Sequence, residues 1–186
     1  MTTMQIATQI DDWTTEHTER QCGDCFACCV HLGITELKKY PDQPCKHLDG
    51  ALGPDKRCSI YAKRPSACAI YKCLWRQGIG PDWLRPADSG ILITMYDDEG
   101  GVLCTAIIID REKAMPHIDE VTQQLLLYPL LTRLTILDRK TKFGLTYHKG
   151  KVHRCEVKPN PKGDYEGLLY VVDDAWFGEY SMADLP

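Results

Sequence analysis

The chain has 186 residues, enough for one domain with its own core or for a small module fused to a modest domain. Its hydrophobic share, 44%, is ordinary for a globular protein, and no apolar run is long enough to span a bilayer. A net charge of -4 and a pI near 5.8 disfavour nucleic acid or an anionic membrane as the main partner.

In chain order, residues 1–20 are predicted as a helical segment with Ile6, Ile10 and Trp13 on one face. This stretch lacks the basic start, long apolar run and small-residue cleavage site of a secretory signal, so the protein reads as cytoplasmic. Residues 21–85 are rich in Pro and Gly and read as irregular. Helical turns are expected at 36–40 and 59–64, and Pro65 opens a helix running through Trp75. Residues 50–54 and 78–81 read as loops.

From about residue 90 the texture changes. Residues 91–96 and 102–109 read as apolar strands joined by a hairpin loop at 97–101. Residues 117–131 read as a helix of about four turns, which Pro129 should kink or end. Shorter strands are expected at 134–138, 143–148, 151–157 and 167–172, with a tight turn at 147–151 and a tail at the end. The predicted fold is α+β. An irregular cysteine-rich metal-binding module, residues 21–85, packs on a small antiparallel sheet with one main helix, residues 86–186, as one compact unit.

Ten cysteines are present, and eight of them fall between residues 22 and 73. A disulfide framework staples a whole chain, whereas a metal site draws several thiolates to one point. In a reducing compartment the crowding therefore favours metal ligation. The leading motif is Cys22-x-x-Cys25-x-x-Cys28-Cys29. A two-residue turn aims both sulfurs of a C-x-x-C pair at one centre, and Gly23 lets the first turn bend tightly. Zinc takes four such ligands in a tetrahedron, and C-x-x-C-x-x-C also opens the ferredoxin run that holds iron–sulfur clusters.

Cys28 and Cys29 are adjacent, so their side chains diverge. Eight cysteines then make two centres, one binuclear centre, or one cluster with spare thiols. Cys45, Cys58, Cys68 and Cys73 complete the set, while His31 and His47 are alternative ligands. A four-thiolate centre carries a net charge of about -2. The stretch 45–76 holds Lys46, Lys56, Arg57, Lys63, Arg64, Lys72 and Arg76 against Asp49 and Asp55. Those cations either offset the centre's charge or form a solvated face.

Outside this region, Cys104 reads as a buried inert thiol and Cys155 as exposed, sharing a strand face with His153. His148 and His153 flank the 149–151 turn, where they could face each other across a hairpin, and read as surface residues. Trp75 and Trp83 read as core or lid residues. Tyr61 is expected to pack while Arg64 holds carbonyls or sulfurs. No G-x-S-x-G, P-loop or H-E-x-x-H pattern supports a hydrolase or nucleotide enzyme.

The string CGDCFACC, followed by C-x-x-L at Cys45 and CSIYAKRPSAC over 58–68, resembles the CxxCxxCC, or YkgJ-type, family of zinc- or iron-chelating proteins. The resemblance covers roughly residues 20–75. It includes the eight cysteines in order and a core of Cys58, Ile60, Tyr61, Arg64, Pro65 and Cys68. It implies that Cys22, Cys25, Cys28, Cys29, Cys45, Cys58, Cys68 and Cys73 bind zinc or an iron–sulfur cluster. Ala69 stands where family members commonly carry Arg. A similar domain occurs in bacterial flagellin lysine N-methylases, but this chain has no glycine-rich strand-to-helix loop for S-adenosylmethionine.

Three functions are therefore expected: a metal-binding protein presenting a surface to a protein partner, an iron–sulfur enzyme or electron carrier assisting protein modification, or a zinc-thiolate redox sensor.

Overall fold

The structure is a computed structural model that describes residue 13, residues 20–49, 58–159 and 168–176. The helical segment expected at 1–20 lies outside the described residues except for Trp13 and Arg20. The loop expected at 50–54 and the final ten residues also lie outside them.

Six strands form one sheet in chain order. They are β1 (Ile91–Asp98), β2 (Gly101–Ile108), β3 (Leu131–Asp138), β4 (Phe143–His148), β5 (Lys151–Pro159) and β6 (Leu168–Trp176). Four neighbouring pairs are antiparallel, but β2 and β3 run parallel. The sheet is thus mixed, where an antiparallel one was expected. The cause is the β2–β3 connection, which carries the helices Arg111–Ala114 and Ile118–Leu126. A helical crossover returns the chain in the direction it left, as parallel neighbours require.

The tight hairpin turns follow local chemistry. Lys149 and Gly150 both take positive φ, 48° and 71°, between β4 and β5. That pair of left-handed residues matches the right-handed twist of the flanking strands. The main helix, Ile118–Leu126, is shorter than the expected 117–131. Its last turn closes with i→i−3 bonds, Leu127 N to Gln124 O and Tyr128 N to Leu125 O. Pro129 then disfavours helical backbone at Tyr128, and Leu130 turns to φ 66° before β3 begins. The helix expected from Pro65 through Trp75 is also divided. Ser66–Ile70 is helical, Tyr71 is extended, and a single 3-10 turn follows at Trp75–Gln77.

The sheet buries apolar groups on both faces. On one, Ile91 and Ile93 of β1, Ala106 and Ile108 of β2 and Ile136 of β3 pack with Ile118, Val121 and Leu125 of the main helix. On the other, Leu92 and Ile107 pack with Ala27, and Cys25 and Cys73 flank that contact. Leu74 connects the two halves of the chain. It is fully buried in the first cluster, and its N–H donates to Ile93 O at 2.9 Å on the free edge of β1.

Cys104 is buried, and burial pushes its thiol up to about 12. Cys155 is buried too, contrary to the exposed position expected. It pairs with Gly144, and a Cβ there would sit 3.1 Å from the Cys155 sulfur, so the glycine leaves room for the thiol. The ladder places Thr146, not His148, opposite His153, and a register shift interrupts β5 between His153 and Cys155. No helix among the described residues is long and apolar enough to cross a membrane.

Leu74→Ala should lower stability by about 2–5 kcal/mol, the cost of a cavity at a site that cannot collapse freely. Urea unfolding followed by circular dichroism checks this; a change within about 0.5 kcal/mol would mean that the junction contributes little.

Candidate metal centre

The first two cysteines are set by a turn. Cys25 N donates to Cys22 O at 2.9 Å, and Gly23 between them has φ +52°, a conformation that favours glycine. Arg85 fastens this turn from outside, donating to Cys22 O at 2.8 Å and to the Asp24 carboxylate. The short helix Ala27–His31 follows and carries Cys28 and Cys29, while its Ala27 seats on Leu92 and Ile107.

The later cysteines are brought back by backbone bonds. Cys45 N donates to Cys29 O at 3.0 Å, and Leu48 N to Cys45 O at 2.9 Å. Leu48 then forms an isolated bridge with Cys58, beside the bond from Ser59 N to His47 O at 2.9 Å. A 3-10 turn at Tyr61–Lys63 leads into the helix that bears Cys68. Cys73 is placed by its neighbour Leu74 on the sheet edge. The loop after it is clamped by the buried Arg20, which donates to Trp75 O at 3.2 Å, Gly80 O at 2.6 Å and the Asp82 carboxylate at 3.0 Å.

Seven of these thiols, from Cys22, Cys25, Cys28, Cys29, Cys45, Cys58 and Cys68, line one cavity of about 820 Å³. Cys73 stands behind it, packed with Cys25 around Leu92 and Ile107. None of the ten cysteines is in a disulfide. Thr94, Thr105 and Ile107 close the cavity on the sheet side. Sequence reasoning missed the two threonines. They are cross-strand partners and the polar positions in two apolar strands, which was the available signal.

His47 lines the cavity, whereas His31 turns to Asp42, with Nδ1 3.0 Å from the carboxylate. Tyr61 is exposed rather than packed, and the Arg64 guanidinium lies 3.9 Å from its ring centroid. Trp75 belongs to the core, and Trp83 stacks on His117 at 4.5 Å.

Charge is distributed unevenly over the thiols. Cys28 and Cys29 share a hydrogen bond, which raises the Cys28 thiol and lowers Cys29 to about 7; Lys39 and Arg64 add to the lowering. The Lys39 ammonium is buried and donates to three carbonyls, those of Val30 at 2.9 Å, Leu32, and Tyr40 at 3.2 Å. Burial lowers its pKa against the pull of Cys45 and Cys29. Cys73 is pushed up to about 11, chiefly by burial. Burial also raises Cys25, opposed by backbone N–H groups of Ala27 and Ala87 and by Arg85.

The donor chemistry fits a thiophilic metal: reduced thiols, nearby cations and amides aimed at sulfur. Among the described residues, however, no three His, Cys, Asp or Glu side chains stand as a ready shell around one cation. The thiols surround a space instead of meeting at a point.

No family model matches the chain, and no solved structure matches it. A UPF0260 protein of Gluconacetobacter diazotrophicus is similar, at 29% identity over 129 residues, covering 58% of this chain and 78% of that protein.

Proposed function

We propose that this chain is a metal–thiolate protein of the CxxCxxCC type. Cys22, Cys25, Cys28, Cys29, Cys45, Cys58, Cys68 and Cys73 hold zinc or an iron–sulfur cluster. The observation that carries the reading is one cavity lined by seven of those thiols, none of them in a disulfide. A cluster is the better fit of the two. Each thiolate of a four-cysteine cluster binds a different iron, so the sulfurs stand apart around a core. Zinc needs all four sulfurs within about 2.3 Å of one point, and among the described residues no three such side chains are gathered that way.

The chain's own groups have separable tasks. Lys39, Arg64 and Arg85 offset thiolate charge. Backbone N–H groups of Ala27 and Ala87 donate to the Cys25 sulfur. Thr94, Thr105 and Ile107 close the far side. Bound iron–sulfur supplies one-electron chemistry, and bound zinc supplies cross-linking of the fold. The protein acts in the cytoplasm and meets a protein partner rather than nucleic acid or a membrane.

Metal also organises the N-terminal half. Among the described residues, those of 21–85 form only short turns, helices and isolated bridges, whereas the sheet has its own core. Structural zinc contributes about 10–16 kcal/mol in small peptides, comparable to the whole stability of a domain. The cysteine module therefore depends on metal, and the sheet does not.

Purification without air, with metal and acid-labile sulfide measured together, tests the reading. Iron with matching sulfide and visible colour is the expected result. Zinc without colour keeps the metal reading and makes the centre structural, or sensory if oxidant releases the metal. Protein lacking metal, with these cysteines oxidised to disulfides, overturns it. Chelation of the loaded protein should loosen amide protection over residues 21–85 and leave β2–β4 protected in hydrogen exchange; equal loss throughout would contradict the division of labour.

A further inference from the structure

The eight cysteines are not equivalent neighbours. Cys73 interacts electrostatically with Cys22 and Cys25, and Cys28 with the same two as well as with Cys29, whose thiol shares its hydrogen bond. Cys25 and Cys73 also pack around one apolar contact, that of Ala27 with Leu92 and Ile107. On the other side Cys68 interacts with Cys29, Cys45 and Cys58. The last three are joined through backbone, by the bond from Cys45 N to Cys29 O and by the Leu48–Cys58 bridge after Cys45. The line between the groups runs through the peptide joining Cys28 to Cys29.

We infer that the module holds two four-thiolate centres, an inner one of Cys22, Cys25, Cys28 and Cys73 and an outer one of Cys29, Cys45, Cys58 and Cys68. This rests on the metal–thiolate reading above and assigns its ligands. Each set has four sulfurs, the number that one zinc or one four-iron cluster takes. Adjacent residues on a helical turn lie about 100° apart around the axis, so Cys28 and Cys29 can serve different centres once metal replaces the hydrogen bond that their thiols share.

Two further observations separate the sets. Each has its own cations: Arg85 lies by Cys25, whereas Lys39 and Arg64 lie by Cys29. Two centres of about -2 each would otherwise repel across a short gap. The second observation is Tyr71. Its hydroxyl is buried on the cavity wall with no hydrogen-bond partner, and its thiol neighbours, Cys73, Cys28 and Cys22, all belong to the inner set. A buried hydroxyl left without a partner is costly, and a metal-bound thiolate is an acceptor for it. Tyr71 is therefore a positioning residue for the inner centre, donating to one of its sulfurs.

The test uses full-length loaded protein purified without air. A chelator is added in steps, each step is pulsed with iodoacetamide, and labelled cysteines are mapped while native mass spectrometry counts the metal retained. The expected result is a half-loaded species in which the four cysteines of one set are labelled and those of the other protected, with Cys28 and Cys29 on opposite sides. Release of all eight together without a half-loaded species overturns the division, as does a half-loaded species that protects Cys28 and Cys29 alike. Failure of the metal reading itself looks different: no metal at the start and all eight thiols labelled before chelator is added. Tyr71→Phe should weaken retention by the inner set about tenfold and leave the outer set unchanged. A loss shared by both sets, or absent from the inner one, counts against the assignment.

Discussion

The burial of thiols beside one another is the constraint around which the N-terminal half is arranged. Burial raises the thiols of Cys25, Cys68 and Cys73, and neighbouring sulfurs raise them further. Lys39 shows how much structure it takes to oppose this. Its ammonium is buried, satisfied by three carbonyls, and held where Cys29 and Cys45 feel its charge. An isolated buried cation is expensive; this one is tolerated because carbonyls ring it and thiols face it. Arg64 and Arg85 serve from more open positions. The cation over the Tyr61 ring is held by the aromatic face as well as by charge.

The sheet supplies what the cysteine segment lacks, a rigid support. Residues 21–85 contain no helix longer than five residues among those described. Short elements of this kind do not persist alone. They are fixed by docking, with Ala27 on Leu92 and Ile107 and Leu74 within the main core. Cys25 and Cys73 are placed by that apolar contact. Cys45 and Cys58 are placed instead by backbone bonds to neighbouring segments. Two cysteine groups thus inherit different degrees of rigidity from the fold.

Much of the secondary structure was legible. Alternation and turn residues located β1, β2, β4 and β5, because those signals are local. The parallel pairing of β2 with β3 was not, since strand order is a property of how the crossover helices pack. Burial of Cys155 escaped for a similar reason: it depends on Gly144, a residue on another strand. The cysteines themselves were plain in the sequence, but the expected divergence of Cys28 from Cys29 was not met, since their thiols share a hydrogen bond. Spacing carried no information on which distant sulfurs become neighbours. Cys73 follows Cys68 by five residues yet stands with Cys22 and Cys25, because Tyr71 is extended and Leu74 is pinned to β1. Tyr71 gave no signal, because a tyrosine without a partner is recognised only after its surroundings are known.

The bond from Leu74 N to Ile93 O has a meaning beyond the placement of Cys73. β1 ends the sheet, so its outer row of amides and carbonyls is a template for another strand. The cysteine segment occupies part of that row. A chain whose module has come loose therefore presents an apolar, unpaired strand edge bearing Ile91, Leu92 and Ile93. Two such chains can join edge to edge into a continuous sheet. Ligand loss in the N-terminal half would thus be felt as self-association through the C-terminal half, because the same short segment that carries the sulfurs also covers part of the sheet's edge.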